Sequence, residues 1–247
     1  ESRLLLFKVA QDARTQARAG ATNDSSTTVP TTTLSDGGQM FANRLRKNVK
    51  RLSKWRKRSG VTCYRLYDAD MPEYSLALDM YGDWAHVAEY QAPRTIDPND
   101  AAKRLDEALV AVAQVLEIPQ SRVVVKRRER QRGAKQYERK ERREEFMEVS
   151  EGPARLLVNL HDFLDTGLFV DHRKVRESLA ETAKGGRFLN LFCYTASATI
   201  HAALGGAQFT TSVDSSATYL AWARRNIALN GLSESRNRLV RADVREW

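Results

Sequence analysis

The spacing of apolar residues changes several times along the chain and predicts where helices and strands alternate. From Phe41 to Trp55 apolar residues recur every three or four positions, which predicts an amphipathic helix. Asp97 and Pro98 have the residue types of a second helix start, and Pro119 ends that helix. Short runs around the second helix predict six strands, the first three as antiparallel neighbours. They cover residues 61–67, 75–80, 84–90, 122–127, 146–150 and 155–160.

After Thr166 the pattern becomes a repeated alternation of strand and helix. A short strand is expected first, followed by a helix that Asp171 caps and that ends at Gly185 and Gly186. The expected elements that follow are strand 187–191, helix 197–204, strand 209–213, helix 216–229 and strand 238–242. This order predicts a parallel, doubly wound α/β sheet, in which ligands bind beyond the carboxyl ends of the strands where strand order reverses.

Composition divides the chain into four segments. Nine of the fourteen residues from Thr22 to Ser35 are Ser or Thr, so this stretch buries too little surface to offset its ordering entropy. The opening "ESRLLLFKV" is strand-like and begins abruptly, which predicts the end of a preceding domain. We expect a tail at 1–10, a Ser/Thr-rich linker at 11–39, a small α+β domain of RNA-binding type at 40–165 and the first half of a Rossmann-like domain at 166–247.

Several classes of protein do not fit the sequence. The 247 residues contain no apolar run of about 18, and the first sixteen lack the layout of a signal peptide, so we expect a cytoplasmic protein with no membrane span. Cys63 and Cys193 lie far apart and the four histidines are scattered, which predicts neither a disulfide framework nor a metal site. The pattern leaves the oligomeric state open.

The distribution of charge indicates a polyanionic partner. The formal net charge is +9 and the sequence pI is near 9.7. The stretch 44–58 holds nine Lys or Arg and no acid, and such unrelieved like charges repel one another along a helix. Contact with a phosphate backbone would relieve that repulsion, so RNA or DNA binding is favoured over a merely solvated helix face.

A second basic stretch runs from Lys126 to Glu145, between two predicted strands. Residues 122–143 hold eleven Lys or Arg against three Glu, and Tyr137 adds a stacking surface. A solvated hairpin loop and an arm that tracks RNA phosphates are equally compatible with this composition. The expected RNA contacts are Arg44, Arg46, Lys47, Lys50, Arg51 and Lys54 in the helix and Lys126, Arg127, Arg128, Arg130, Arg132 and Lys135 in the arm.

The ends of the last three predicted strands carry the candidate chemistry. The first ends in "FCYTA", the second in Asp214 and the third in Asp243, and no GxGxxG motif for a dinucleotide pyrophosphate is present. A nucleoside cofactor without a pyrophosphate needs a less close approach. Asp214 can accept from the ribose hydroxyls and Asp243 from the adenine amino group, which fits S-adenosylmethionine. Each acid taken singly also fits a helix cap.

Five motifs carry a resemblance that spans residues 41–247. They are "YRLYDADMPEY", "LDTGLFVDHR", "FLNLFCYTASATIHAALGGA", "VDSSATYLAWARRNIALNGL" and "ADVREW". In their order they resemble the C-terminal, K half of the bifunctional 23S ribosomal RNA methyltransferase K/L family. The resemblance implies methyl transfer from S-adenosylmethionine to guanosine N7, with 23S ribosomal RNA or a large-subunit precursor as partner. A separate L half would methylate guanosine N2.

The resemblance also implies roles for particular residues. The segment with Phe169, Asp171 and Arg173 lies near the methionine end of the cofactor, Asp214 on the ribose and Asp243 near the adenine. The implied cofactor-binding residues are Phe169, Asp171, Arg173, Phe192, Cys193, Tyr194, Thr195, Asp214, Ser215, Asp243 and Val244. Ala196 stands where many relatives have glycine, which predicts a slightly larger separation between loop and cofactor.

Catalytic residues are expected beyond Trp247, in an acidic-Pro-Pro segment that family members use to hold the target base. The chain on its own is therefore expected to be inactive. The alternative is that it acts only as a non-catalytic RNA-binding module. A nicotinamide-dependent oxidoreductase is disfavoured because the glycines of the dinucleotide motif are missing.

Overall fold

The structure, a computed structural model, describes residues 28–90, 97–127, 143–163 and 165–247. These residues form two compact units. The first is drawn from residues up to Arg56 and from Tyr64 to Arg127, and the second from Lys57–Cys63 and from Arg143 onward. No helix among the described residues is long and apolar enough to span a membrane.

The first unit contains two helices and a four-stranded sheet. The helices are α1 (Asp36–Ser59) and α2 (Pro98–Leu116), and the sheet has the order β1 (Cys63–Asp68), β2 (Leu76–Tyr81), β3 (Trp84–Glu89) and β4 (Val123–Arg127). β2 and β3 pair antiparallel as predicted, whereas β3 and β4 are parallel because α2 supplies the crossover between them. The fully buried Phe41 of α1 stacks on Tyr74, with 4.5 Å between ring centroids.

Asp97 caps α2 as the sequence predicts. Its side chain accepts a hydrogen bond from the backbone N–H of Asn99 at 2.7 Å, and Pro98 follows at the first helical position. The local pattern of an Asp and a Pro before an apolar stripe therefore predicted the start of this helix correctly.

The end of the predicted linker has specific partners in the first unit. Gln114 on α2 donates from Nε2 to the carbonyl oxygens of Pro30 and Thr32, the latter at 2.7 Å. The backbone N–H of Ser35 donates to Glu107 Oε1 at 2.7 Å, and α1 begins at Asp36. The linker expected at 11–39 thus differs from the structure over its last residues, because polar side chains of α2 satisfy their backbone groups.

The second unit is built on a hairpin and a parallel sheet. The antiparallel hairpin consists of β5 (Met147–Glu151) and β6 (Ala154–Val158), and α3 (Arg173–Thr182) follows it. The remaining elements are β7 (Arg187–Leu191), α4 (Ser197–Leu204), β8 (Phe209–Asp214), α5 (Ala217–Leu229) and β9 (Asn237–Arg241). β7 and α4 have the predicted bounds, and β8, α5 and β9 differ from prediction by one residue at their ends.

The hairpin β5–β6 was predicted to lie within the domain at 40–165, but the structure groups it with the second unit. The backbone N–H of Leu157 on β6 donates to Asn226 Oδ1 at 2.9 Å, and its carbonyl accepts from Trp222 Nε1 at 3.0 Å. Arg155 N donates to Asn230 Oδ1 at 2.9 Å. Side chains of α5 therefore satisfy the backbone hydrogen-bonding groups on the outer edge of β6. No local sequence pattern predicts this pairing.

The three strands of the parallel sheet lie in the order β7-β8-β9, so the described residues contain no reversal of strand order. Leu189 and Leu191 of β7 and Phe209 of β8 lie on one face of this sheet and are 51%, 43% and 49% exposed. Within the described part of the chain this face remains open to solvent. The carboxyl ends of the strands, where the sequence predicts the ligand, lie along one edge.

Candidate functional site

The loop after β7 turns sharply without a glycine. Its φ angles are 55° at Phe192, 53° at Tyr194 and 62° at Ala196, all in the left-handed region. This conformation costs a non-glycine residue about 1–2 kcal/mol and persists only where the surroundings hold it. At Ala196 this backbone conformation favours glycine, the residue that the resemblance implies for many relatives at this position.

Asp214, at the carboxyl end of β8, holds this loop in place. Its Oδ2 accepts from the backbone N–H of Tyr194 and its Oδ1 from the backbone N–H of Ser216, both at 2.9 Å. The N-cap of α5 is Ser216, whose Oγ accepts from Tyr219 N at 3.3 Å, so Asp214 does not cap the helix itself. A carboxylate has about four lone-pair directions, which leaves acceptor capacity toward a ligand.

Two predicted loop residues have buried side chains. Burial, with a smaller contribution from Asp214, raises the pKa of the Cys193 thiol to about 12, so the thiol stays neutral. Thr195 is fully buried, and its Oγ1 donates to the carbonyl of Gly167 at 2.6 Å. Asn226 donates to the Thr195 carbonyl at 2.9 Å. Cys193 and Thr195 therefore shape the loop and present no side chain to a ligand.

Two of the exposed side chains around the loop are aromatic. Phe192 is 69% exposed and Phe169, in the turn before α3, is 40% exposed. Tyr194 lies between this turn and α5, with its ring centroid 5.5 Å from that of Phe169 and 4.4 Å from that of Tyr219. The two phenyl rings offer stacking faces of the kind that a planar base requires.

The turn before α3 differs from the prediction in two respects. A 3₁₀ turn at Val170–His172 leads directly into α3, and the described residues from 165 to 169 contain no strand. The predicted cap at Asp171 is wrong, because His172 occupies the N-cap position without a side-chain cap bond. The backbone N–H of His172 donates to the Phe169 carbonyl at 3.2 Å, which winds the chain too tightly for a strand. The Asp171 side chain is 57% exposed, and its Oδ2 lies 4.0 Å from His172 Nε2.

Arg173 has an internal partner in the structure. Its side chain is only 11% exposed, and its Nε donates to Glu151 Oε2 at 2.9 Å. Its second guanidinium nitrogen donates to the carbonyl of Cys63. The cofactor-binding role that the resemblance implies for Arg173 stays a prediction, and in the structure its guanidinium has two contacts within the protein.

Asp243 follows β9 at the same edge of the sheet as Asp214. Hydrogen bonds from the Arg245 side chain and backbone lower the pKa of Asp243 to about 2, so its carboxylate is ionised. The backbone N–H of Ala242 donates to the Asp214 carbonyl at 3.1 Å and joins the ends of the two strands. Ser215 is exposed and Val244 half-buried at this edge.

The predicted RNA contacts fall into three groups. Those on α1 are all exposed, namely Arg44, Arg46, Lys47, Lys50, Arg51 and Lys54. Lys126 is only 8% exposed on β4, so the structure does not place it on an accessible surface, and Arg127 is the last residue of the same strand. Arg128, Arg130, Arg132 and Lys135 lie outside the described residues.

Three supporting residues of this region were not singled out from the sequence. Gly167 accepts from Thr195, Asn226 holds the Thr195 carbonyl, and Glu151 binds Arg173. The "TG" before "LFVDHR" is a local signal for Gly167, whereas the partners of Asn226 and Glu151 lie far away in sequence. In the described part of the chain no three ligand-type side chains are grouped closely enough to hold a metal ion.

Residues 71–245 match the protein family described as S-adenosylmethionine-dependent methyltransferase. The chain belongs to this family. S-adenosylmethionine is accordingly the cofactor, and the predicted Rossmann-like methyltransferase fold is confirmed. The ionised carboxylate of Asp243, the acceptor capacity of Asp214 and the exposed rings of Phe169 and Phe192 fit a nucleoside cofactor of this kind.

Two curated relatives share one description, ribosomal RNA large subunit methyltransferase K/L. The protein from Pseudomonas paraeruginosa is 64% identical over 214 residues, which cover 87% of this chain and 29% of the relative. The protein from Stutzerimonas stutzeri is 59% identical over 248 residues, covering 99% and 34%. The chain thus spans about a third of the length of these relatives.

Two solved structures resemble the chain over most of its length. A methyltransferase from Streptococcus mutans gives a TM-score of 0.68 at 25% identity and covers 88% of this chain and 56% of its own. A methyltransferase complexed with S-adenosylhomocysteine gives a TM-score of 0.69 at 26% identity, covering 88% and 55%. Both likenesses agree with the family assignment.

Proposed function

We propose that this methyltransferase chain forms the cofactor-binding part of an enzyme that methylates guanosine N7 in 23S ribosomal RNA. The observation that carries the proposal is the carboxylate of Asp214, which braces the loop after β7 at the carboxyl edge of the sheet. The names of the K/L relatives support large-subunit ribosomal RNA as the substrate. The N7 position rests on the resemblance of the five motifs.

The proposed reaction depends mainly on positioning. S-adenosylmethionine supplies a methyl group bonded to a positively charged sulfur. Guanine N7 has a lone pair and no proton, so its attack on that methyl group needs no general base. Holding the reacting atoms close and in line contributes roughly 7–11 kcal/mol. Within this chain Asp214 orients the ribose, and Phe169 and Phe192 provide stacking faces.

A change at Asp214 tests the cofactor site. We expect Asp214→Asn to raise the Kd for S-adenosylhomocysteine by about ten- to a hundredfold, because a charged hydrogen bond is worth roughly 1.5–3 kcal/mol. Isothermal titration calorimetry measures the change. Glu234→Gln is the matched control, since Glu234 is exposed in the same unit and pairs with Arg224 at 3.1 Å. Equal affinity of the Asp214 variant and the parent chain would contradict the assignment.

An RNA-binding role is supported by α1 and is the second candidate function. Lys47, Lys50 and Lys54 are spaced by three and four residues and lie opposite the buried Phe41 and Leu45. Within the described residues none of the three lysines has a carboxylate within 4.0 Å. Their charges are therefore available to RNA phosphates. The binding energy from such contacts would offset the cost of exposing a target base in the RNA, which is a few kcal/mol.

Neutralising these lysines tests the RNA surface. We expect K47Q/K50Q/K54Q to weaken binding of a labelled single-stranded RNA oligonucleotide. The slope of log affinity against log salt should become shallower by about 2, because each of the three lost phosphate contacts contributes roughly 0.7 to it. Fluorescence anisotropy at several salt concentrations measures the slope. K103Q/K174Q/K184Q removes the same charge from exposed positions elsewhere and is the control. Equal slopes for both triple variants would exclude α1 as the contact.

The two candidate functions have different outcomes in these measurements. Binding of RNA without binding of S-adenosylhomocysteine by the unsubstituted chain would favour the non-catalytic RNA-binding module. Binding of both ligands, with separate losses at Asp214 and on α1, would support the methyltransferase proposal.

A further inference from the structure

Glu151 is a buried carboxylate that is not among the candidate cofactor contacts. Glu151 ends β5 and its side chain is 1% exposed. Arg176 of α3 donates to it from two nitrogens, at 2.6 and 2.9 Å, and Arg173 donates at 2.9 Å. His201 of α4 lies beside it, with Nε2 3.1 Å from Glu151 Oε1. We call these four residues the Glu151 cluster.

The Glu151 cluster is held together electrostatically. Burial by itself raises the pKa of Glu151, but hydrogen bonds from His201 and Arg176 and the charges of both arginines outweigh it and hold the pKa at about 2. Arg173 and Arg176 of α3 thus donate to both carboxylate oxygens, and His201 of α4 lies with its Nε2 3.1 Å from Oε1.

The two helices carry the two sides of the candidate cofactor site. α3 begins at Arg173, directly after the turn that contains Phe169 and Asp171, and α4 begins directly after the loop at 192–196. The helices are also in close contact, since a Cβ on Gly205 would lie 2.2 Å from the carbonyl oxygen of Ala180. A displacement of α3 relative to α4 would therefore change the distance between turn and loop.

We propose that Glu151 is a positioning residue for the methionine end of the cofactor. It fixes the first turn of α3, and thereby the exposed Phe169 and Asp171, relative to the loop after β7. Arg173 acts through Glu151 and not on the ligand, because its guanidinium is buried against Glu151 and the Cys63 carbonyl. The inference rests on the proposed function, which gives this turn its place near the methionine end.

Two ligands separate positioning from a general loss of structure. S-adenosylhomocysteine carries the amino-acid tail, and 5′-methylthioadenosine has the same nucleoside without that tail. We expect Glu151→Gln to weaken the binding of S-adenosylhomocysteine roughly tenfold, an effect of the size that residues without ligand contact can have on a binding site. The binding of methylthioadenosine should weaken by less than about threefold. Calorimetry of both ligands gives the ratio of the two dissociation constants, which is the deciding quantity.

Glu148→Gln is the matched control for the change in charge. Glu148 lies on the same strand and pairs with Arg155 at 2.5 Å, but both side chains are exposed, at 40% and 53%. We expect this variant to leave both affinities unchanged. A second test variant, E151M/R176M, removes opposite charges together and leaves only Arg173, which is 11% exposed and keeps its bond to the Cys63 carbonyl. It is expected to fold even where Glu151→Gln does not, because buried pairs tolerate joint apolar replacement.

The outcomes distinguish the inference from the proposed function. If the unsubstituted chain binds neither ligand, the proposed function fails and the inference with it. If it binds both and the Glu151 variants weaken them equally or not at all, the inference alone is overturned. A selective loss of S-adenosylhomocysteine in either Glu151 variant, with Glu148→Gln unchanged, supports the positioning role.

Discussion

Glu151→Gln is expected to lower the free energy of unfolding by about 3–5 kcal/mol, the usual cost of removing one partner of a buried ion pair. The amide leaves the charges of Arg173 and Arg176 without a carboxylate in a site from which water is excluded, since the Arg176 side chain is only 4% exposed. Urea unfolding followed by tryptophan fluorescence at neutral pH measures the change.

Glu148→Gln on the same strand is expected to cost about 0–1 kcal/mol, because its partner Arg155 is exposed to solvent. The comparison holds the chemical change constant and varies the burial and the number of arginine partners. A loss at Glu151 no larger than the loss at Glu148 would show that the Glu151 cluster does not stabilise the second unit.

The same carboxylate sets a pH dependence with a definite sign. Its pKa falls from 4.5 to about 2 in the folded chain, so the stabilisation is present above pH 4.5 and is lost as the pH falls toward 2. A shift of this size corresponds to about 3 kcal/mol. The difference in unfolding free energy between the unsubstituted chain and Glu151→Gln should therefore shrink between pH 5 and pH 2. A difference that stays constant over this range would contradict the assignment.

Features that depend on neighbouring residues were predictable from the sequence. The bounds of β7 and α4 follow from an apolar run and from Gly205 after the helix, and the cap at Asp97 follows from the residue pair Asp97-Pro98. The positions of Asp214 and Asp243 at the ends of two parallel strands follow from the repetition of strand and helix. These signals are local, or repeat at a fixed period, so they can be recognised in the sequence without knowledge of tertiary contacts.

Features that depend on distant partners were not predictable. Glu151 precedes Gly152 in a turn and has the appearance of a solvated residue, yet its partners are 22, 25 and 50 positions away along the chain. The left-handed conformation of Phe192 and Tyr194 is equally hidden, because no glycine marks either position. The carboxylate of Asp214 holds the backbone N–H of Tyr194, a contact between the end of β8 and the loop after β7 that only the folded sheet creates.

Gly167→Ala is expected to lower the free energy of unfolding by about 2–5 kcal/mol, from backbone strain and overpacking together. The φ angle at Gly167 is 92°, and an added Cβ would lie 2.1 Å from Cζ2 of the buried Trp222. Trp222 cannot retreat, because its Nε1 donates to the Leu157 carbonyl and its ring packs on Phe163 at 5.1 Å. Gly167 must therefore move, and the bond that its carbonyl accepts from Thr195 must lengthen.

A second glycine separates the two contributions. Gly152 has a φ of 59° but no atom within 4 Å of an added Cβ, so Gly152→Ala should cost only the strain of about 1–2 kcal/mol. Because Thr195 belongs to the loop after β7, Gly167→Ala should also weaken S-adenosylhomocysteine binding, whereas Gly152→Ala should not. Urea unfolding and calorimetry of both variants measure the two effects. Equal losses of stability in Gly167→Ala and Gly152→Ala would mean that the ring of Trp222 moves to make room for the added Cβ. They would also mean that the loop after β7 is not supported through Gly167.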